Sequence, residues 1–66
     1  MEIAVNGTEH EVEAECTVEQ LLSSLGLNPA GVAVAVNRTV VPRSVRPNRA
    51  LQAFDSVEII QAVGGG

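Results

Sequence analysis

The chain of 66 residues is nearly without aromatic side chains and has no lysine at all. Phe54 is its one aromatic residue, so the base stacking on which single-stranded nucleic-acid readers rely is poorly provided for. One cysteine, Cys16, excludes an intramolecular disulfide and a cysteine metal cluster. A lone histidine, His10, without cysteine or histidine partners makes a poor metal site. No apolar run approaches the ~20 residues that cross a bilayer. Met1 leads directly into a short alternating segment rather than a signal peptide. The expectation is one intracellular, cytoplasmic, soluble domain.

What is present is small and apolar. The hydrophobic fraction is 45%, enough for a globular core and too much for a disordered chain. The formal net charge is −4, which argues against a phosphate-binding surface and for a soluble chain or a basic partner. The signs are segregated. Glu2, Glu9, Glu11, Glu13, Glu15 and Glu19 crowd the first third, whereas Arg38, Arg43, Arg46 and Arg49 sit in one later segment. That arginine group divides evenly between two readings, solvated loop charge and a dock for an acidic partner surface.

The hydrophobic pattern changes period along the chain. Met1, Ile3 and Val5 alternate with Glu2, Ala4 and Asn6, and alternation resumes from Thr8 to Ala14. Asn6-Gly7 between them predicts a tight hairpin turn, because both positions of that turn need positive φ. Val18, Leu21, Leu22 and Leu25 then follow the spacing of an amphipathic helix. Thr17 and Gln20 predict a capping box at its start, and Gly26 a left-handed stop at its end. A strand over Val32 to Asn37, a tight turn at Asn37-Arg38 and a short strand Thr39 to Val41 follow. Pro42 ends that strand and consigns it to a sheet edge. Arg43 to Ala53 reads as irregular chain with room for one short helical turn. Val57 to Val63 is the last strand, apolar on both faces as a central strand is.

One helix with one apolar stripe and one sheet with one buried face pack most simply as two layers. We expect Met1, Ile3, Val5, Val34, Val36, Val57 and Ile59 to meet Val18, Leu21, Leu22 and Leu25 in the core. The last strand should lie beside the first and parallel to it. The expected fold class is therefore α+β: a mixed sheet of four to five strands on one helix, the β-grasp or ubiquitin-like arrangement. The domain spans residues 1–63, and 64–66 form a flexible C-terminal glycine tail. Three extended residues reach about 10 Å past the last strand.

Four stretches carry a family resemblance over the whole chain: the opening "MEIAVNG", the helix "TVEQLL", the segment "VAVNRTVVPR", and a last strand running into "GGG". With them the chain resembles the sulfur-carrier proteins of thiamine biosynthesis, the ThiS family. The Gly-Gly end alone is common to all β-grasp carriers and modifiers; the Val-Asn-x-x-Val-Val-Pro-Arg stretch is more specific. The resemblance implies that an adenylating enzyme activates the terminal carboxylate of Gly66 with ATP. A persulfide donor then supplies sulfur, and the resulting thiocarboxylate donates it to thiazole synthase. Gly64, Gly65 and Gly66 would thread the partner's active site. The carrier itself would contribute no catalytic residue, bind no cofactor and hold no metal.

On the outward sheet face, Ala4, Ala33, Ala35, Ile60 and Ala62 share one parity, and a small apolar open face is an interaction candidate. Ile60, Ala62 and Ala35 are expected to dock the adenylating enzyme, and Arg43, which belongs to the family-like stretch, is a further docking candidate. Cys16 reads as a small core-side hydrophobe, and His10 as a packed or edge residue. Three other functions compete. One is a molybdopterin synthase small-subunit type of carrier. Another is a ubiquitin-like protein modifier, which without lysine could not build chains through its own side chains. The third is a plain interaction module with an inert tail.

Overall fold

In the computed structural model, which describes residues 1–61, Asn6 and Gly7 both take left-handed backbone angles, with φ of 50° and 83°. This is what the two central positions of a primed hairpin turn demand. The turn joins β1 (Glu2–Val5) to β2 (Thr8–Glu11) in antiparallel register, Ile3 opposite His10 and Val5 opposite Thr8. β2 stops at Glu11, short of the expected Ala14. There the chain turns through Ala14 and Glu15, the latter at a φ of 67°, and alternation of side chains carries no sign of that reversal.

The helix α1 spans Val18–Ser24. A seven-residue helix is too short to persist on its own, so its ends and its buried stripe hold it. Thr17 Oγ1 accepts from the Gln20 backbone N–H at 3.2 Å, and Gln20 Oε1 accepts from the Thr17 N–H at 2.9 Å. The predicted capping box is therefore closed from both sides. At the other end Gly26 has a φ of 72°. Leu27 N–H donates to the Leu22 carbonyl and Gly26 N–H to the Ser23 carbonyl, which is the Schellman closure that pairs these two otherwise free carbonyls. Val18, Leu21 and Leu22 are buried against the sheet.

A 3-10 turn at Pro29–Gly31 leads into β3 (Val32–Val36), and Asn37-Arg38 turns the chain into the two-residue β4 (Thr39–Val40). A crossover with a second 3-10 turn at Arg46–Asn48 returns the chain to β5 (Ser56–Gln61). The sheet order is β2-β1-β5-β3-β4. β5 is central, parallel to β1 and antiparallel to β3, as the sequence predicts. β4 is the predicted edge. Five strands on one helix form the β-grasp arrangement, and the described part of the chain contains no helix long and apolar enough to cross a membrane.

The core holds Ile3, Val5, Val18, Leu21, Leu22, Val34, Val36, Val57 and Ile59, all of them expected. Met1 and Leu25 lie at its rim, half-buried. Val41 and Leu51 join it unannounced. Both come from chain that reads as edge or irregular. Val41 N–H donates to the Val34 carbonyl, Leu51 N–H to the Cys16 carbonyl, and Thr17 bridges to Ala50. The crossover is thereby stitched to the start of α1 and closes the end of the core.

Arg46 is the second surprise. It is 5% exposed, and its two terminal nitrogens donate to the carbonyls of Pro29 and Val32, each at 2.8 Å. The arginine that reads as solvated or docking charge is a brace between the crossover and the start of β3. Its two charge-assisted bonds offset part of the cost of taking the guanidinium out of water.

Candidate functional site

β5 carries the chain toward Ala62, Val63 and the three glycines. The expected tail Gly64–Gly66, the modified carboxylate of Gly66, the docking residue Ala62 and the domain boundary at residue 63 all lie outside the described residues. The site can therefore be built up to Gln61, from the strand that presents it and the sheet face beside it.

Along β5 the burial alternates. Val57 and Ile59 point into the core; Ser56, Glu58 and Ile60 point out. Being central and apolar on both faces does not cover this strand on both: Ile60 is 68% exposed, on the open outward face expected for it. Across the register, Ile60 stands opposite Ala33, Glu58 opposite Ala35, and Ala35 in turn opposite Val40. Two alanines between an isoleucine and a valine leave a shallow apolar recess of about 110 Å³, lined by Ala33, Val34, Ala35, Val40, Glu58 and Ile60. Ile60 and Ala35, two of the expected docking residues, are brought together there.

Val40 is the member of this strip that parity along the last strands does not supply, and it is 70% exposed. The signal was nonetheless local. A two-residue turn at Asn37-Arg38 fixes Thr39 opposite Val36 and so Val40 opposite Ala35. Arg43 is exposed on the turn after Pro42 and does not line the recess.

The other half of the outward face is acidic. Glu2 pairs with Glu11, and Ala4 with Glu9, across β1 and β2. The carboxyl of Glu2 is raised above its ordinary 4.5. A side-chain hydrogen bond to Glu9 is the largest cause, then the charge of Glu9, then burial and the charge of Glu11. The sheet thus shows an apolar strip on β3, β4 and β5 and a crowd of carboxylates on β1 and β2.

Cys16 is half-buried before α1, with its Sγ donating to the Thr17 carbonyl at 3.4 Å. Burial, and next the charge of Glu13, push its thiol up, away from the thiolate that sulfur chemistry needs. His10 is half-buried opposite Ile3. Among the described residues no group of three His, Cys, Asp or Glu could hold a metal ion.

The chain is 33% identical to the sulfur carrier protein ThiS of Escherichia coli K12 over 66 residues, all of both chains. A thiazole synthase of Magnetococcus marinus is 42% identical over 66 residues, and there the chain spans 20% of the longer protein. The crystal structure of the thiamine biosynthesis protein ThiS from Geobacter metallireducens superimposes with a TM-score of 0.84 at 33% identity and covers all of both chains. The sequence model of the ThiS family matches residues 1–66, and on that full-length match the chain belongs to the ThiS family.

Proposed function

We propose that this chain is a sulfur carrier of thiamine biosynthesis and that its reactive group is the main-chain carboxylate of Gly66. The observation that carries the reading is the likeness, end to end, to a sulfur carrier of the same family. A carboxylate is a poor acyl donor because its leaving group would be oxide. Adenylation by a partner with ATP supplies a good leaving group, and a persulfide sulfur can then attack the acyl carbon. That attack forms a carbon–sulfur bond and expels AMP; a reducing thiol then cleaves the donor's own sulfur–sulfur bond, ending in a disulfide with the donor cysteine, and the thiocarboxylate is released.

The described fold suits that division of labour. The carrier acts as a co-substrate, with its body as the handle and partner enzymes supplying the catalytic groups. Gly64, Gly65 and Gly66 lack Cβ atoms, so this stretch of backbone fits a narrow channel. Ile60 and Ala35, with Val40, give the adenylating enzyme an apolar strip on the face of the strand that leads to the tail. Arg43 remains a candidate at the margin of that interface.

Thiazole synthase is the proposed sulfur acceptor. In the M. marinus protein named thiazole synthase, a region like this whole chain makes up a fifth of the molecule. Joining carrier to acceptor in one chain would raise their effective concentration. Affinity capture of the chain bearing its thiocarboxylate tests the assignment. Thiazole synthase should be retained; retention of a molybdopterin synthase large subunit in its place would move the carrier to another pathway. A chain without Gly65 and Gly66 should support no sulfur transfer, and full function after that deletion would sink the carrier reading.

A further inference from the structure

The parallel ladder between β1 and β5 ends early. Its register runs from Ala4 opposite Ser56 to Val5 opposite Val57, and its last backbone bond is from Asn6 N–H to the Val57 carbonyl at 2.9 Å. Beyond that point β1 has turned away into the hairpin. On this flank the next backbone groups of β5, those of Ile59, face the turn and have no strand to pair with.

The side chain of Asn6 takes the strand's place. Its Nδ2 donates to the Ile59 carbonyl at 3.1 Å, and its Oδ1 accepts from the Ile59 N–H at 2.8 Å. A carboxamide has the donor and acceptor of one peptide unit, so the pair continues the ladder by one step without any backbone. The left-handed φ of Asn6, 50°, aims the side chain across the turn at β5. Ile59 immediately precedes the exposed Ile60 and lies two residues before Gln61. Without Asn6, the half of β5 that leads to the tail would be paired on the β3 side alone.

We infer that Asn6 is a positioning residue for docking of the carrier ahead of acyl transfer at Gly66: its carboxamide fixes β5 at Ile59, the residue before the exposed Ile60. The inference rests on the carrier reading above. A strand end free to swing would have to be ordered during docking, and that cost would appear in the affinity of the carrier for its partner. The chemistry of the docked tail would be unaffected.

Asn37 provides the contrast. It also sits in a turn with a left-handed φ, 51°, and also grips β5. Its Oδ1 accepts from the Ser56 N–H at 2.9 Å and its Nδ2 donates to Asp55 Oδ1 at 2.9 Å. That grip is at the start of β5, far along the strand from the tail. Loosening it should weaken the fold without freeing β5 at Ile59.

The test compares Asn6→Gly, Asn6→Asp and Asn37→Gly with the wild-type chain. Glycine keeps the turn geometry at both sites and removes the amide. Aspartate keeps the acceptor for Ile59 N–H but sets a carboxylate oxygen against the Ile59 carbonyl. Two readouts are needed: amide hydrogen exchange at Ile59, and the KM and kcat for each chain as substrate of the adenylating enzyme. Asn6→Gly and Asn6→Asp should speed exchange at Ile59 and raise KM about tenfold, the scale of one or two net hydrogen bonds, with kcat unchanged. Asn37→Gly should lower the unfolding midpoint and leave KM alone. An unchanged KM in both Asn6 variants, or an equal rise in Asn37→Gly, overturns the positioning role. A wild-type chain that is never adenylated overturns the carrier reading and this inference with it, whereas an adenylated wild type with indifferent Asn6 variants overturns this inference alone.

Discussion

Ile60 stands directly across from Ala33 in the β3–β5 register, and the alanine leaves it 68% exposed. A large aliphatic side chain with so little cover contributes little to the fold, yet it sits on the strand that leads to the tail. Changing Ile60→Asp should leave the unfolding midpoint nearly unaltered. It should weaken the complex with the adenylating enzyme by about 2 kcal/mol or more, the size of a buried interface anchor. Titration calorimetry on wild type and variant decides it; equal affinities would remove Ile60 from the interface.

Arg46 should behave in the opposite way. Its guanidinium donates to the carbonyls of Pro29 and Val32 from a buried position. A domain of this size has total stability of only about 3–10 kcal/mol. Loss of two charge-assisted bonds in Arg46→Ala should remove roughly 2–4 kcal/mol, visible as a large fall in the urea midpoint. Docking measured on the remaining folded protein should be unaffected. A stable variant that binds poorly would return Arg46 to the role of surface charge.

Most of the strand order was legible in the sequence because its signals are local. Asn6-Gly7 specifies a turn, Thr17 with Gln20 a helix start, Gly26 a helix stop, and Pro42 an edge. The crossover was not legible. Arg46 beside Pro47 has the look of solvated loop, and only the approach of Pro29 and Val32 buries it. Leu51 enters the core in the same way, through a hydrogen bond to Cys16 far away in sequence, and Val41 through one to Val34 across the tight turn. Of the apolar strip, Ala35 and Ile60 follow from parity. Val40 follows only from the register of a two-residue turn, which strand parity alone does not count.

The carboxylate crowd on β1 and β2 gives stability a pH dependence with a definite sign. Glu2 is raised in the folded chain, above its ordinary 4.5, so the folded state holds that proton more tightly than the unfolded state. The contribution of this group to stability is therefore present at acid pH and is lost as pH rises from about 4.5 through the raised value. Glu2→Gln should be more stable than wild type at neutral pH, and the gain should shrink toward about pH 4. Urea midpoints at the two pH values check this; a gain that grows on acidification would contradict it.

On the carrier reading, Cys16 is a bystander to the sulfur chemistry. Burial and the charge of Glu13 both hold its thiol in the protonated form. In a reconstituted sulfur transfer, Cys16→Ala should be converted to the same extent and at the same rate as wild type. A variant that accepts no sulfur would show that the thiol is an intermediate carrier.

On the carrier reading, the reactive atom belongs to the main chain at Gly66 and to no side chain. Intact mass spectrometry with fragment sequencing tests it after incubation with the adenylating enzyme, ATP and a persulfide donor. One oxygen should be replaced by sulfur, localised to Gly66 and absent when ATP is withheld. Sulfur found on Cys16, or an unmodified Gly66 in a fully active mixture, would contradict it.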